Sequence, residues 1–391
     1  MNRDSLNGKY ALFLHGSADL YGSSLILLFV VESALRLGLI PIVVLPYRGQ
    51  LSMELQKRGV RVEIQNLGVL RRKYFNPLGL LNRIQKLSSA YRFLAKLHKE
   101  NRLDLVYSNT LAVLIGAFFS RRKGISHIWH VHEIIPSPTF LVKFLAAQMQ
   151  RSDNILAVSH SVAQHWEKYG VEKNVKVIHN GIPYRDVQVS KPAFRETLGI
   201  MPNHKVVTMV GRVNPGKGQM FFLEMAKEIL MKRTDVVFLM AGDPYPGYEY
   251  ILEEIQVFIK KNKVGNNVID LGFRSDIAEI LAISDIFVLP SILPDSFPTV
   301  ILEAMGAGLP VVATRSGGSV EMVLEGETGH LIPVSDVQSG VNSIVNLLED
   351  EELRKGMGVK SQARAKQAFG LLRFNEEIEN YFYQVLQEKK S

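Results

Sequence analysis

The chain has 391 residues, 47% of them hydrophobic, enough to fill two cores. It has no cysteine, which excludes disulfides, a thiol nucleophile and Cys-ligated metal. The net charge of +8 is uneven, since residues 1–190 hold 25 Lys/Arg against 12 Asp/Glu while the remainder is net acidic. Such asymmetry points the first half toward anionic material. No helix-turn-helix, zinc-finger or RNA-binding signature accompanies it, so nucleic acid is discounted. The opening MNRDSLNGKYALFLHG has too short an apolar segment for a signal peptide, and runs such as 25–31 fall far short of a membrane span. The expected protein is cytoplasmic, either soluble or peripheral on the inner face of a membrane.

From Lys9 onward short apolar runs alternate with amphipathic stretches: 10–14 then 23–37, 40–45 then 51–58, 60–64 then a long helix. This alternation predicts a parallel, doubly wound sheet, whose ligands sit at the carboxyl ends of its strands. The first such end is His15 to Ser24, where Gly22 would let backbone approach a ligand and Ser23 would cap the next helix. Residues 70–101 combine Leu80, Ile84, Leu87, Tyr91 and Leu94 at helical spacing with Arg71, Arg72, Lys73, Arg83, Lys86, Arg92, Lys96 and Lys99. The apolar stripe is expected to pack on the sheet, leaving Arg71–Lys73 and Arg121–Lys123 available to phospholipid. Asn109 closes the next strand, and 128–134 reads Ile-Trp-His-Val-His-Glu-Ile. His130 and His132, two apart on a strand, share a side and are a candidate metal pair lacking a third ligand nearby. Core packing is the alternative for each.

Residues 184–203 are polar and Pro-containing, as a linker would be, and a hinge belongs there. The pattern then reopens with a strand at 205–210 followed by Gly211-Arg212-Val213-Asn214-Pro215-Gly216-Lys217-Gly218, which fits neither a dinucleotide fingerprint nor a Walker loop. A glycine-rich turn bearing two cations can nonetheless admit and neutralise a diphosphate. Gly242 and Phe273 follow later strand ends. The run from Asp285 to Gly318 reads as strand, loop, helix, strand. Its Phe297, Pro298, Thr299 and Val300 lie at a helix entrance, where unpaired amides and the helix dipole favour phosphate. Glu303 follows about one turn in, suited to accept hydroxyls such as a ribose diol.

Asp295 and Glu303 are eight apart, and DSFPTVILEAMGAGLPVVA resembles the Glu-x7-Glu signature of retaining glycosyltransferases of family 4, with Asp in the first position. Gly211 to Gly218 is similar to that family's G-R-x-x-x-x-K-G element. The resemblance covers nearly the whole chain and is most specific from Gly211 to Gly329. It implies a GT-B fold: two Rossmann-like domains facing a cleft, an acceptor-side domain at 1–187, a nucleotide-sugar domain at 203–369, and a C-terminal helix at 370–391 crossing back to the first. It further implies transfer of a hexose-type sugar, with retention and without a metal or cofactor, from a nucleoside diphosphate donor to a glycan or lipid-linked glycan in surface polysaccharide assembly.

By the same resemblance Arg212 and Lys217 grip the diphosphate with the amides of Phe297 to Val300, and Glu303 holds the ribose. Asp295 and His132 orient the sugar, Gly22 faces donor and acceptor, and the loop at Phe273 receives the base. Three alternatives stay open: a nucleotide-sugar 2-epimerase of the same fold, a phosphorylase-like enzyme needing a pyridoxal lysine, and a non-catalytic scaffold.

Overall fold

The computed structural model describes residues 6–70, 74, 76–184 and 190–387. The chain divides into two compact units, one of residues 1–181 with 372–391 and one of residues 182–371. In the first unit the elements alternate: β1 Tyr10–His15, α1 Ser23–Arg36, β2 Ile40–Leu45, α2 Gln50–Lys57, β3 Arg61–Ile64, α3 Pro77–Asn101 and β4 Leu105–Asn109. They continue with α4 Ile115–Lys123, β5 Ser126–Val131, α5 Thr139–Met149, β6 Asn154–Ala157, α6 His160–Glu167 and β7 Val175–Val177. In the second unit come α7 Lys191–Thr197, β8 Lys205–Val210, α8 Gln219–Leu230, β9 Val236–Ala241, α9 Tyr250–Asn262, β10 Val268–Asp270 and α10 Ile277–Ile283. Then follow β11 Ile286–Leu289, α11 Thr299–Gly306, β12 Val311–Thr314, α12 Ser319–Met322, β13 Gly329–Ile332, α13 Val337–Glu349 and α14 Glu351–Phe369. The last helix, α15 Leu371–Gln387, returns to the first unit.

Each unit is one parallel sheet among the described residues, ordered β3-β2-β1-β4-β5-β6-β7 in the first and β10-β9-β8-β11-β12-β13 in the second. The strands are runs of Val, Ile and Leu because helices cover both faces, and β2, β9, β11 and β12 are buried almost throughout. In each sheet the first strand is flanked by the second on one side and by a later one on the other. The winding therefore reverses between β1 and β4 and again between β8 and β11, and such a switch opens a crevice at the strands' carboxyl ends.

Several local expectations need correction. Ser23 does not cap α1: Gly22 occupies the cap with φ 42° and no side chain bonds the helix start. Only the second half of α3 packs as an apolar stripe should, with Ala90 and Leu94 fully buried. Its first half leaves Leu78, Leu81 and Ile84 more than half exposed, and Arg83 is buried rather than solvated, its guanidinium 3.8 Å from the Tyr74 ring centroid. Arg71 to Lys73 lie outside the described residues, as do 185–189 of the linker, the rest of which includes α7. α15 is amphipathic: Phe374, Ile378 and Phe382 are fully buried, Phe382 meeting Phe13 and Tyr107 edge-on at 6.2 and 5.9 Å. Ser33 Oγ donates to Asn375 and Arg36 pairs with Glu379 at 2.7 Å, so the helix joins α1 through polar contacts too.

Candidate active site

In the second unit the residues of interest collect after β8 and β11, the two strands at the winding switch. Lys217 and Asp295, 78 positions apart, form an ion pair with both side chains about four-fifths buried. Arg212 follows β8 directly. Gln219 Nε2 donates to its carbonyl at 3.2 Å, and its guanidinium lies 5.7 Å from the Tyr245 ring centroid. These loops can crowd together because glycine lies at the contacts. A Cβ on Gly242 would lie 2.0 Å from Gly211 O, one on Gly218 would lie 1.9 Å from Pro290 O, and one on Gly317 would lie 2.0 Å from Asp295 O. Real carbon atoms cannot approach so closely, so these glycines are dictated by neighbouring backbone, and at Gly218 and Gly317 by positive φ as well. Gly318 N donates to Asp295 O at 2.8 Å, anchoring the loop that leads into α11.

Pro298 occupies the cap of α11 and no side chain caps it, which leaves the Thr299 and Val300 amides at the head of the helix. Phe297, buried, packs its ring against Phe369 at 5.7 Å and fixes the entry of the chain. Glu303 sits one turn in. Its carboxyl has no hydrogen-bonding partner among the described residues, and burial alone raises its pKa above the usual range. It lines a cavity of about 380 Å³ with Tyr184, Leu281, Gly306 and Gln362. Phe273, 58% exposed, stands at the end of β10.

In the first unit the corresponding edge holds a hydrogen-bonded series. The register of β1, β4 and β5 places His15 opposite Asn109 and Asn109 opposite His130. His15 Nε2 meets Ser24 Oγ at 2.9 Å, Asn109 Nδ2 meets His15 Nδ1 at 3.0 Å, and Asn109 Oδ1 meets His132 Nε2 at 3.0 Å. His130 does not join His132 as a ligand pair. Its Nδ1 is taken by the Tyr107 hydroxyl at 2.6 Å, it is fully buried, and its ring is tilted against that of His132 with centroids 4.0 Å apart. Burial lowers the pKa of His15 to about 4 and of His130 to about 3, and holds His132 well below the ordinary value with help from those two rings.

Glu133 turns inward. It accepts from the Leu111 amide at 3.1 Å and the His132 amide at 2.9 Å, while burial pushes its pKa up to about 7. Between Asn109 and Leu111 lies Thr110 with φ 85°, a conformation strained for a β-branched residue. The Trp129 indole, donating to Thr110 O at 3.0 Å, and the Thr110 amide, donating to His130 O at 2.9 Å, hold it there. Sequence reasoning passed over His15, Thr110 and this role for Glu133. The cue it had was the His-Gly step at the end of the first strand. Gly22 remains in the loop before α1, with open space around its Cα.

Two parallel, doubly wound sheets, each with polar side chains gathered at the strand ends beside its switch point, define the GT-B class of fold. Residues 190–364 match the model of glycosyl transferases group 1, and residues 48–185 match that of glycosyltransferase family 4. The chain is similar to N-acetyl-alpha-D-glucosaminyl L-malate synthase of Bacillus anthracis, 29% identical over 66% of this chain and 65% of that one, just under two thirds of its length. It is 27% identical, over 81% of this chain and 85% of that one, to UDP-Gal:alpha-D-GlcNAc-diphosphoundecaprenol alpha-1,3-galactosyltransferase of Escherichia coli. Among solved structures, Anabaena HepE in complex with UDP-glucose superposes with a TM-score of 0.83 and 26% identity, covering 96% of this chain and 99% of that one. The chain carries a glycosyltransferase family 4 domain followed by a glycosyl transferases group 1 domain.

Proposed function

We propose that this chain transfers a hexose-type sugar from a nucleoside diphosphate donor to a hydroxyl of a glycan or lipid-linked glycan, with retention at the anomeric carbon. The observation that carries the reading is Glu303: a half-buried carboxyl lining a cavity, with no hydrogen-bonding partner among the described residues, one turn into a helix whose uncapped amides follow the loop of Asp295. A ribose diol supplies two donors to that carboxylate, while the amides of Thr299 and Val300 take the diphosphate. Arg212 and Lys217 neutralise the charge that grows on the diphosphate as the glycosidic bond breaks, and in this reading they supply what a metal would. Asp295, already joined to Lys217, fixes that ammonium and receives sugar hydroxyls on its other oxygen. The departing phosphate oxygen takes the acceptor proton, so no enzymic nucleophile is required. His132 faces the sugar, Gly22 borders donor and acceptor, and the loops of Gly242 and Phe273 border the base.

The names of the similar proteins make a UDP-hexose the first donor to try. Isothermal titration with UDP should give binding that Lys217→Ala weakens roughly 10- to 100-fold, as expected for a charge-assisted contact. Unchanged affinity would remove the reading. Product analysis with an acceptor panel separates transfer from epimerisation, and transfer should persist in EDTA. Peripheral binding at an anionic membrane belongs to the same proposal. Its support is the exposed Arg121, Arg122 and Lys123 and the exposed Leu78, Leu81 and Ile84, with an apolar groove of about 470 Å³ between α3 and α4.

A further inference from the structure

We infer that Asn109 is a positioning residue which, backed by His15 and Ser24, holds His132 as the neutral Nε2–H tautomer and thereby presents a bare Nδ1 as acceptor to a substrate hydroxyl. The inference rests on the sugar-facing role proposed above for His132.

The two ends of the Asn109 amide, nearly identical in shape, are told apart by their neighbours. Asn109 is fully buried, and its Nδ2 lies 3.1 Å from the carbonyl of Ser23, a pure acceptor. The flipped amide would set two oxygens against each other, so nitrogen faces Ser23 and oxygen faces His132. Each neighbour then follows. Asn109 Oδ1 can only accept, so His132 Nε2 carries the proton across the 3.0 Å contact. Asn109 Nδ2 can only donate, so His15 Nδ1 is bare at 3.0 Å and its Nε2–H points to Ser24 Oγ at 2.9 Å. A longer approach of His15 Nδ1 to Asn109 O, 3.4 Å, would require the opposite tautomer and a clash of two N–H groups at the shorter contact.

The series is anchored at both ends. Ser24 is buried in the first turn of α1, and the strained Thr110 turn, bonded to β5, fixes the backbone beside Asn109. Around His132 the other titratable groups are His130, which is tied to Tyr107, His15, and the inward-turned Glu133. His130 and His15 disfavour a second proton on His132, whose Nδ1 has no partner among the described residues. A neutral imidazole with a bare Nδ1 accepts from a sugar hydroxyl and cannot act as an acid there.

The test uses the full-length protein labelled with 15N-histidine, His132 being assigned by the resonances lost in His132→Gln. At pH 7 the expected spectrum has His132 protonated on Nε2 alone and His15 protonated on Nε2 alone. Asn109→Asp, nearly the same shape but accepting on both oxygens, should move the His15 proton to Nδ1 and raise the titration of His132. At pH values below that raised titration, where Nδ1 gains a proton, the donor KM should rise roughly tenfold, about one lost hydrogen bond, with a smaller change in kcat. A wild-type His132 protonated on Nδ1, or an Asn109→Asp spectrum unchanged at both rings, would overturn the inference. If the variant does not fold, the wild-type spectrum decides alone. The expected spectrum from a protein that turns over no nucleotide-sugar would uphold the tautomer assignment and remove the sugar-facing role instead.

Discussion

Single residues set the most direct consequences. The histidines at the edge of β1, β4 and β5 are buried neutral, so protonating them favours the unfolded chain. His15 contributes stability that is lost as pH falls from 6.5 toward about 4, and His130 as it falls from 6.5 toward about 3. Glu133 works in the opposite sense. Its folded pKa of about 7 exceeds the unfolded 4.5, so its contribution is full below pH 4.5 and declines as pH rises toward 7, by at most about 3 kcal/mol. Glu133→Gln should therefore flatten that decline: in urea titrations, wild type minus variant should fall between pH 4.5 and 7 and level off above. A difference independent of pH would show that Glu133 titrates no higher in the folded protein than in the unfolded chain. These residues also mark where reading the sequence stops. Arg212, Lys217 and Glu303 could be proposed from the sequence because each sits in a run whose residue types and spacing suggest that chemistry. The bond from His15 to Asn109 joins positions 94 apart and follows from strand register, which no local pattern records. The ion pair of Lys217 with Asp295 was hidden for the same reason.

At the scale of elements, the second unit's site is four strand-end loops pressed together through glycines. Gly317→Ala adds a carbon 2.0 Å from Asp295 O at a residue with φ 58°. The strain of an L-residue there, about 1–2 kcal/mol, comes on top of the displaced loop. The expected result is a lowered Tm together with weakened UDP binding, whereas Gly356→Ala, exposed on α14 with open space around it, should leave UDP binding unchanged and raise Tm slightly, as alanine does inside a helix. The alternation of strands and helices was readable from apolar runs bounded by Gly and Pro, because a sheet covered on both faces needs continuous Val, Ile and Leu. The first half of α3 was misread because helical periodicity reports which residues share a face, and not whether anything covers it. Leu78, Leu81 and Ile84 share a face and remain exposed. Flotation with anionic vesicles should show binding that salt reverses, and Leu78→Ser with Ile84→Ser should weaken it; equal binding to neutral vesicles would contradict an electrostatic attachment.

For the whole molecule, the return of α15 makes the first unit depend on the end of the chain. Truncating Phe382 to Ala would remove a fully buried ring packed on Phe13 and Tyr107 and should cost about 3–5 kcal/mol, seen as a lower urea midpoint. This return followed from the family resemblance, since an amphipathic helix by itself does not say which surface it covers. The proposed reading of a single ligand by cations, helix amides and one acidic side chain lies in the second unit. It is tested most directly by titrating UDP and its 2′,3′-dideoxy analogue into wild type and Glu303→Gln. The account predicts that wild type prefers UDP, that Glu303→Gln erases this preference, and that the variant binds the analogue as wild type does. An equal loss for both ligands, or a preference for UDP that survives the substitution, would contradict it.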